Sequence, residues 1–154
     1  MSQIAFQDLY ADQFSHCFGC GRNHPQGHHL KSYWNEQHNG TIAKITPSAI
    51  YTGGVPEHLY GGLIASLLDC HGAASATAFQ SQALGIALDG TQNLPRFVTA
   101  SLTTNFIQPT PTQHEITIIG KLLSIEGRKV NIDLSLFCQE QMCANGQMLA
   151  IQLV

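Results

Sequence analysis

Residues 61–79, GGLIASLLDCHGAASATAF, constrain the fold more than any other stretch. They carry the one strong helical signal in a chain that otherwise reads as strands and loops. On a wheel at about 100° per residue the segment divides into two faces. Leu63, Ile64, Leu67, Leu68, His71 and Ala74 make a core stripe, with His71 read as a hydrogen-bonded core histidine rather than a catalyst. Gly62, Ala65, Ser66, Asp69, Gly72, Ala73 and Ala76 make a stripe of small residues with one carboxylate in its middle. Small side chains let another backbone or a ligand come close, and Asp69 would face whatever approaches.

The flanks say what this helix packs against. Residues 30–35 and 41–46 are strand-like, with His38-Asn39-Gly40 as the turn between them. After a loop holding Gly85 and Asp89-Gly90 come three long runs rich in β-branched residues, 96–108, 115–125 and 129–139. Pro109 and Pro111 break the first, and Glu126-Gly127 turns into the last. Asn145-Gly146 predicts one more turn, followed by a final strand over 148–154. Upstream, Phe6, Leu9, Tyr10 and Phe14 predict a short leading helix over 6–14, and 16–29 reads as an irregular loop. Two strands, one helix and four antiparallel strands make an α+β pattern. Residues 1–29 form an N-terminal extension with a Cys/Gly-rich loop, and 30–154 form the domain. One helix on one curved antiparallel sheet leaves a sheet edge and face uncovered, which predicts self-association through the sheet.

Composition points the same way. Charged residues are 11% of the 154, where about 25% is usual, so part of the surface is expected to be hidden against another copy. Seven basic and ten acidic residues give a net charge of −3, without the basic footprint of a nucleic-acid binder. The longest uncharged apolar stretch, 61–68, is too short to cross a bilayer. Residues 1–12 lack the basic and apolar regions of a secretory signal, and five scattered cysteines do not form a disulfide framework. A cytoplasmic protein is expected.

The helix also carries the candidate chemistry. Gly61-Gly62 at its start leaves backbone N–H groups free at the positive end of the dipole, where they can stabilise an oxyanion. Gly62 and Asp69 share a face, and a carboxylate there can activate a water. A capping or paired structural role for Asp69 fits the same positions equally well. Cys17-x-x-Cys20, with His16, His24, His28 and His29 nearby, has zinc-compatible residue types but matches no standard finger, so a structural loop without metal is expected. Cys70 and Cys138 fall where packing would bury them, and Cys143 sits near a turn without a visible partner. Arg128-Lys129 reads either as a solvated hairpin end or as a phosphate site.

Three blocks resemble the hotdog-fold acyl-CoA thioesterases, in the branch of the phenylacetate-pathway enzymes and the thioesterase-superfamily members. The first is Cys17-Phe18-Gly19-Cys20-Gly21, running on to Pro25 and Gly27. The second is Tyr60-Gly61-Gly62 with Asp69, similar to a His-Gly-Gly motif followed by Asp. The third is Thr99-Ala100-Ser101-Leu102 through Asn105-Phe106 and Pro109, then Glu126-Gly127-Arg128-Lys129.

The resemblance implies a hotdog fold, one long central helix wrapped by the sheet, and hydrolysis of acyl-CoA to free acid and CoA. It implies Asp69 as general base or nucleophile, the Gly62 N–H as donor to the thioester carbonyl, and Thr99 as a partner holding the attacking water. Asn105, Arg128 and Lys129 match CoA-contacting positions, with Gly61 beside them at the helix start. It also implies a homodimer or homotetramer with sites at the subunit interface, no cofactor, and acyl-CoA as the small-molecule partner. One position departs: the family His is Tyr60, a phenol that still donates a hydrogen bond but stays neutral at pH 7. A non-catalytic acyl-CoA- or lipid-binding protein is the alternative on the same scaffold. A dehydratase or hydratase is the weaker third, since those enzymes pair an acid with a catalytic His and none can be placed near Asp69.

Overall fold

Lys129–Cys138 shows most directly how this sequence makes its sheet. Buried positions alternate without a break through Val130, Ile132, Leu134, Leu136 and Cys138, so one face of the strand meets the core and the other does not. In the computed structural model, which describes residues 2–154, this is β5 of a six-stranded antiparallel sheet. The elements are β1 (Ser32–Asn35), β2 (Gly40–Ile45), α1 (Gly61–Leu84), β3 (Phe97–Phe106), β4 (Ile116–Glu126), β5 and β6 (Gln141–Gln152). The strands lie in the order β1-β2-β4-β5-β6-β3. The single helix packs across the curved sheet, which wraps it in the hotdog arrangement.

The core stripe read from the sequence is the one observed. Leu63, Ile64, Leu67 and Leu68 are no more than 3% exposed, each contributing about 1.5–3 kcal/mol by burial. The other face needs a correction. Gly72 and Ala76 are buried against the sheet rather than lining an open face. A Cβ on Gly72 would lie 2.7 Å from the Met148 methyl carbon, so this glycine sets how closely the helix approaches β6. The small-residue face open to approach is therefore shorter, with Ala65, Ser66, Asp69 and Ala73 at least partly exposed.

Two further expectations change. The predicted turn at Asn145-Gly146 is replaced by one at Gln139-Glu140, both left-handed at φ 51° and 67°, and β6 runs straight through Gly146. Gly146 pairs with Thr104 and Leu134, and a Cβ there would run into the Thr103 carbonyl, so close strand packing claims it. Residues 6–14 form two separate 3-10 turns, Phe6–Leu9 and Asp12–Phe14, with extended backbone between them. A run this short cannot hold an α-helix on periodicity alone. The helix itself runs past 79 to Leu84, because Gln80 and Ser81 are buried and Gly85 ends it in the left-handed conformation, φ 71°.

His71 is a fully buried core histidine, as expected. Gln7 Nε2 donates to Ser32 Oγ at 2.9 Å, and Ser32 Oγ lies 2.8 Å from His71 Nδ1. His71 Nε2 lies 3.0 Å from Thr41 Oγ1, which meets Ser75 Oγ at 2.6 Å, and Ser75 donates to the His71 carbonyl. The chain uses every hydroxyl proton when the imidazole is neutral with its proton on Nε2. Burial accordingly pushes the His71 pKa down to about 4. Gly120 makes room for the network, since a Cβ there would strike Thr41 Oγ1. Ser32 N–H also donates to Gln7 Oε1, tying the N-terminal segment to β1.

Candidate active site

Asp69 sits half-buried near the middle of α1, and the Thr99 hydroxyl donates to its Oδ1 at 2.5 Å. Thr99 reaches it from β3, an edge strand, just where the pairing with β6 slips: Thr99 opposes Ala150 and Ser101 opposes Leu149, leaving Ala100 as an extra residue. Such a bulge bends a strand and re-aims its side chains. The carboxylate and hydroxyl thus form a pair at the open margin of the sheet.

The start of α1 forms the second part. Tyr60 is the N-cap, extended at φ −71° and ψ 147°, and its side chain makes no capping bond. Leu63 N–H bonds the Tyr60 carbonyl at 3.2 Å, while the Gly61 and Gly62 N–H groups meet no acceptor among the described residues. Those donors carry the positive end of the helix dipole. The Tyr60 ring folds back along the helix: a Cβ on Gly62 would lie 2.7 Å from its Cε2. The Phe106 ring covers Gly61, with a Cβ there 3.1 Å from Cζ. Both glycines are therefore sites of close aromatic approach, and both aromatic residues are about half exposed.

One chain does not bring all the expected residues together. Seven residues of helix separate Gly62 from Asp69 by about 10 Å. Asn105 lies at the Phe106 end of β3, donating to Asn145 Oδ1 at 3.0 Å, close to the helix start. Arg128 and Lys129 lie at the opposite end, where the Arg128 Nε donates to the Gln152 carbonyl at 2.9 Å. Gln80, near the helix C-terminus, reaches the Gly127 carbonyl in the same hairpin. Gly61, Gly62, Tyr60 and Asn105 therefore cluster at one end, Asp69 with Thr99 midway, and Arg128 with Lys129 at the other. A groove of about 840 Å³ lies elsewhere, on the sheet face away from the helix between Lys44, Thr117, Ile119 and Phe137. Its walls hold no residue of these groups.

The cysteines depart from the sequence reading. Cys70 is buried as expected, but it is not simply packed: its Sγ lies 3.7 Å from Cys17 Sγ, and Cys20 joins them. Hydrogen bonds from Cys20 and Cys70 hold the Cys17 thiol far below its ordinary range. The same contact with Cys17 pushes Cys20 up to about 12. Cys143, expected near a turn, is buried within β6. Cys70 follows Asp69 directly in the helix, and its separation from Cys17 by 53 positions hid the cluster from any local pattern.

The chain matches the thioesterase superfamily over residues 57–144, which include Tyr60, Gly61, Gly62, Asp69, Thr99, Asn105, Arg128 and Lys129. It is similar to a thioesterase superfamily protein of Shewanella loihica, with 36% identity, TM-score 0.68, and 93% of this chain and 98% of that one covered. It shares its fold with the PaaI protein of the E. coli phenylacetic acid degradation operon, at 14% identity, TM-score 0.61 and coverage of 75% and 74%. The same holds for the smu.793 protein of Streptococcus mutans, solved with acetyl CoA, at 14% identity, TM-score 0.59 and coverage of 75% and 82%. No protein of curated function matches the sequence.

Proposed function

This chain belongs to the thioesterase superfamily, and on that premise we propose that it hydrolyses acyl-CoA thioesters to the free acid and CoA. The observation that carries the reading is the Thr99–Asp69 hydrogen bond at the sheet margin. Asp69 acts as general base, taking a proton from a water held between its carboxylate and the Thr99 hydroxyl. That water adds to the thioester carbonyl, whose oxygen gathers charge and is met by the Gly62 N–H. The tetrahedral intermediate collapses with loss of the CoA thiolate, which takes up the proton. Acetyl CoA in the S. mutans neighbour supports a CoA thioester as the ligand class.

The site is completed by a second copy. β3 is an edge strand, FVTASLTTNF, with no charged residue and with most of its length exposed. An uncharged ten-residue edge is a template for strand pairing. Antiparallel pairing about the middle of β3 sets the Thr99 end of one copy against the Phe106 end of the other. The second copy's helix start, with its Gly61 and Gly62 N–H groups, then stands beside this copy's Asp69. This resolves the separation of about 10 Å between Gly62 and Asp69 within one helix. Arg128 and Lys129 supply the positive charge for the CoA phosphates.

One observation favours the binding-protein alternative: the Tyr60 ring lies against Gly62, next to the N–H that would receive the carbonyl. The two readings part on one experiment. CoA release is measured on a panel of aliphatic and aromatic acyl-CoAs for the natural protein, Asp69→Asn and Tyr60→His. Hydrolysis by the natural protein with a loss of about 10²–10⁴-fold in Asp69→Asn supports the mechanism. Full activity in a folded Asp69→Asn variant removes Asp69 from it. No release by the natural protein or by Tyr60→His leaves acyl-CoA binding without hydrolysis.

A further inference from the structure

We infer that Cys17, Cys20 and Cys70 form a binding site for one thiophilic metal ion of the zinc class, clamping the N-terminal loop to the helix beside Asp69. The three sulfurs all lie within 4.8 Å of one another, and all five cysteines of the chain are unbonded thiols. Tetrahedral zinc, with Zn–S of about 2.3 Å, sets its sulfurs about 3.8 Å apart. Cys17 Sγ and Cys70 Sγ are already 3.7 Å apart. Little movement separates this arrangement from a three-thiolate shell.

The loop is built to hold that spacing. Gly21 N–H bonds the Cys17 carbonyl at 2.8 Å, closing the turn between the two loop cysteines. His28 N–H bonds the Phe18 carbonyl at 2.9 Å, and Leu30 N–H bonds the Gly19 carbonyl at 3.1 Å. Gly19 is drawn so tightly onto the helix that a Cβ would strike Cys70 Sγ. Cys20 and Cys70 are buried and Cys17 is exposed, so the shell is closed on the protein side and reachable from solvent on one side. Water or an external ligand fills the fourth position there.

Among the described residues no histidine nitrogen joins the three sulfurs within 4.8 Å. His24 and His28 pack edge-on against Phe18 with ring centroids 5.1 and 5.0 Å away, and the His29 ring meets the His24 carbonyl at 2.5 Å. The donor set is therefore all sulfur, which selects zinc, or cobalt as its probe, over calcium and magnesium. Cys17-x-x-Cys20 alone gave two ligands. The third comes from α1 and is visible only in the fold.

The test uses the full chain, purified reduced and stripped with a chelator, then titrated with Zn²⁺ against a chromophoric chelator and separately with Co²⁺. One ion per chain is expected, with thiolate-to-cobalt charge-transfer absorption in the near ultraviolet. With zinc at about 1,000 times Kd, the melting temperature should rise by about 10 °C. Cys17→Ser, at an exposed position that leaves the core intact, should weaken binding by about a hundredfold or more. Cys143→Ala, remote from the cluster, should bind like the natural protein. Uptake below one ion per chain, or equal affinity in Cys17→Ser, overturns the site. So does loss of two titratable thiols on mild oxidation in protein that takes up no metal, which would make the cluster a disulfide pair.

Discussion

Replacing Thr99 by valine removes one hydrogen bond while keeping the volume and β-branching of the side chain. Thr99 is exposed on the edge strand, so the change opens no cavity and leaves the core contacts of α1 untouched. What is lost is a hydroxyl donor 2.5 Å from the Asp69 carboxylate. Hydrogen bonds to charged groups contribute about 1.5–3 kcal/mol net, and an exposed pair belongs near the lower value. At about 1.4 kcal/mol per factor of ten, the expected fall in kcat is about tenfold to thirtyfold. KM should change little, because the hydroxyl orients the base and its water rather than CoA. Steady-state loss of thioester absorbance measures both constants, and a thermal melt checks the fold. Thr99→Ser, which keeps the hydroxyl, should retain most of the activity. A valine variant within twofold of the natural kcat, or a serine variant as impaired as valine, would refute the role assigned to this bond.

Stability should fall with pH through His71. Its pKa is about 6.5 in the unfolded chain and about 4 in the fold, so the unfolded state binds more protons between those values. The stabilisation is whole above pH 6.5 and lost as pH falls toward 4, to the extent of about 3 kcal/mol. Urea titrations at pH 7 and pH 5 should register it, and a folded His71→Gln variant that keeps the same pH dependence would assign it to other groups. Light scattering at micromolar concentration should find a dimer or a tetramer, and Ser101→Lys at the exposed middle of β3 should dissociate it and abolish hydrolysis. An active monomer would contradict the two-copy site. Changing Arg128 and Lys129 together to alanine should raise KM with little change in kcat, and added salt should act in the same direction. An unchanged KM would return both residues to a solvated hairpin.

Local periodicity in the sequence is enough to place the long helix and the inward faces of the helix stripe and of β5. The alternation through β5 and the stripe of Leu63, Ile64, Leu67 and Leu68 are local periodicities, and burial follows them directly. The core role of His71 was legible for the same reason. The dipeptide Asn145-Gly146 was not, because turn propensity there competes with strand packing against Thr103, and only the register decides which prevails. Only its likeness to the family motif singles out Thr99; nothing within its own strand shows that it meets Asp69. That meeting spans 30 positions and depends on β3 returning to the far edge of the sheet with a bulge at Ala100. The Tyr60 ring on Gly62 and the union of Cys17 and Cys20 with Cys70 are likewise products of the fold. Periodicity encodes which way a side chain points within its own element. Which distant element it then meets is decided by sheet order and helix placement, and this chain assembles its candidate chemistry from such distant meetings.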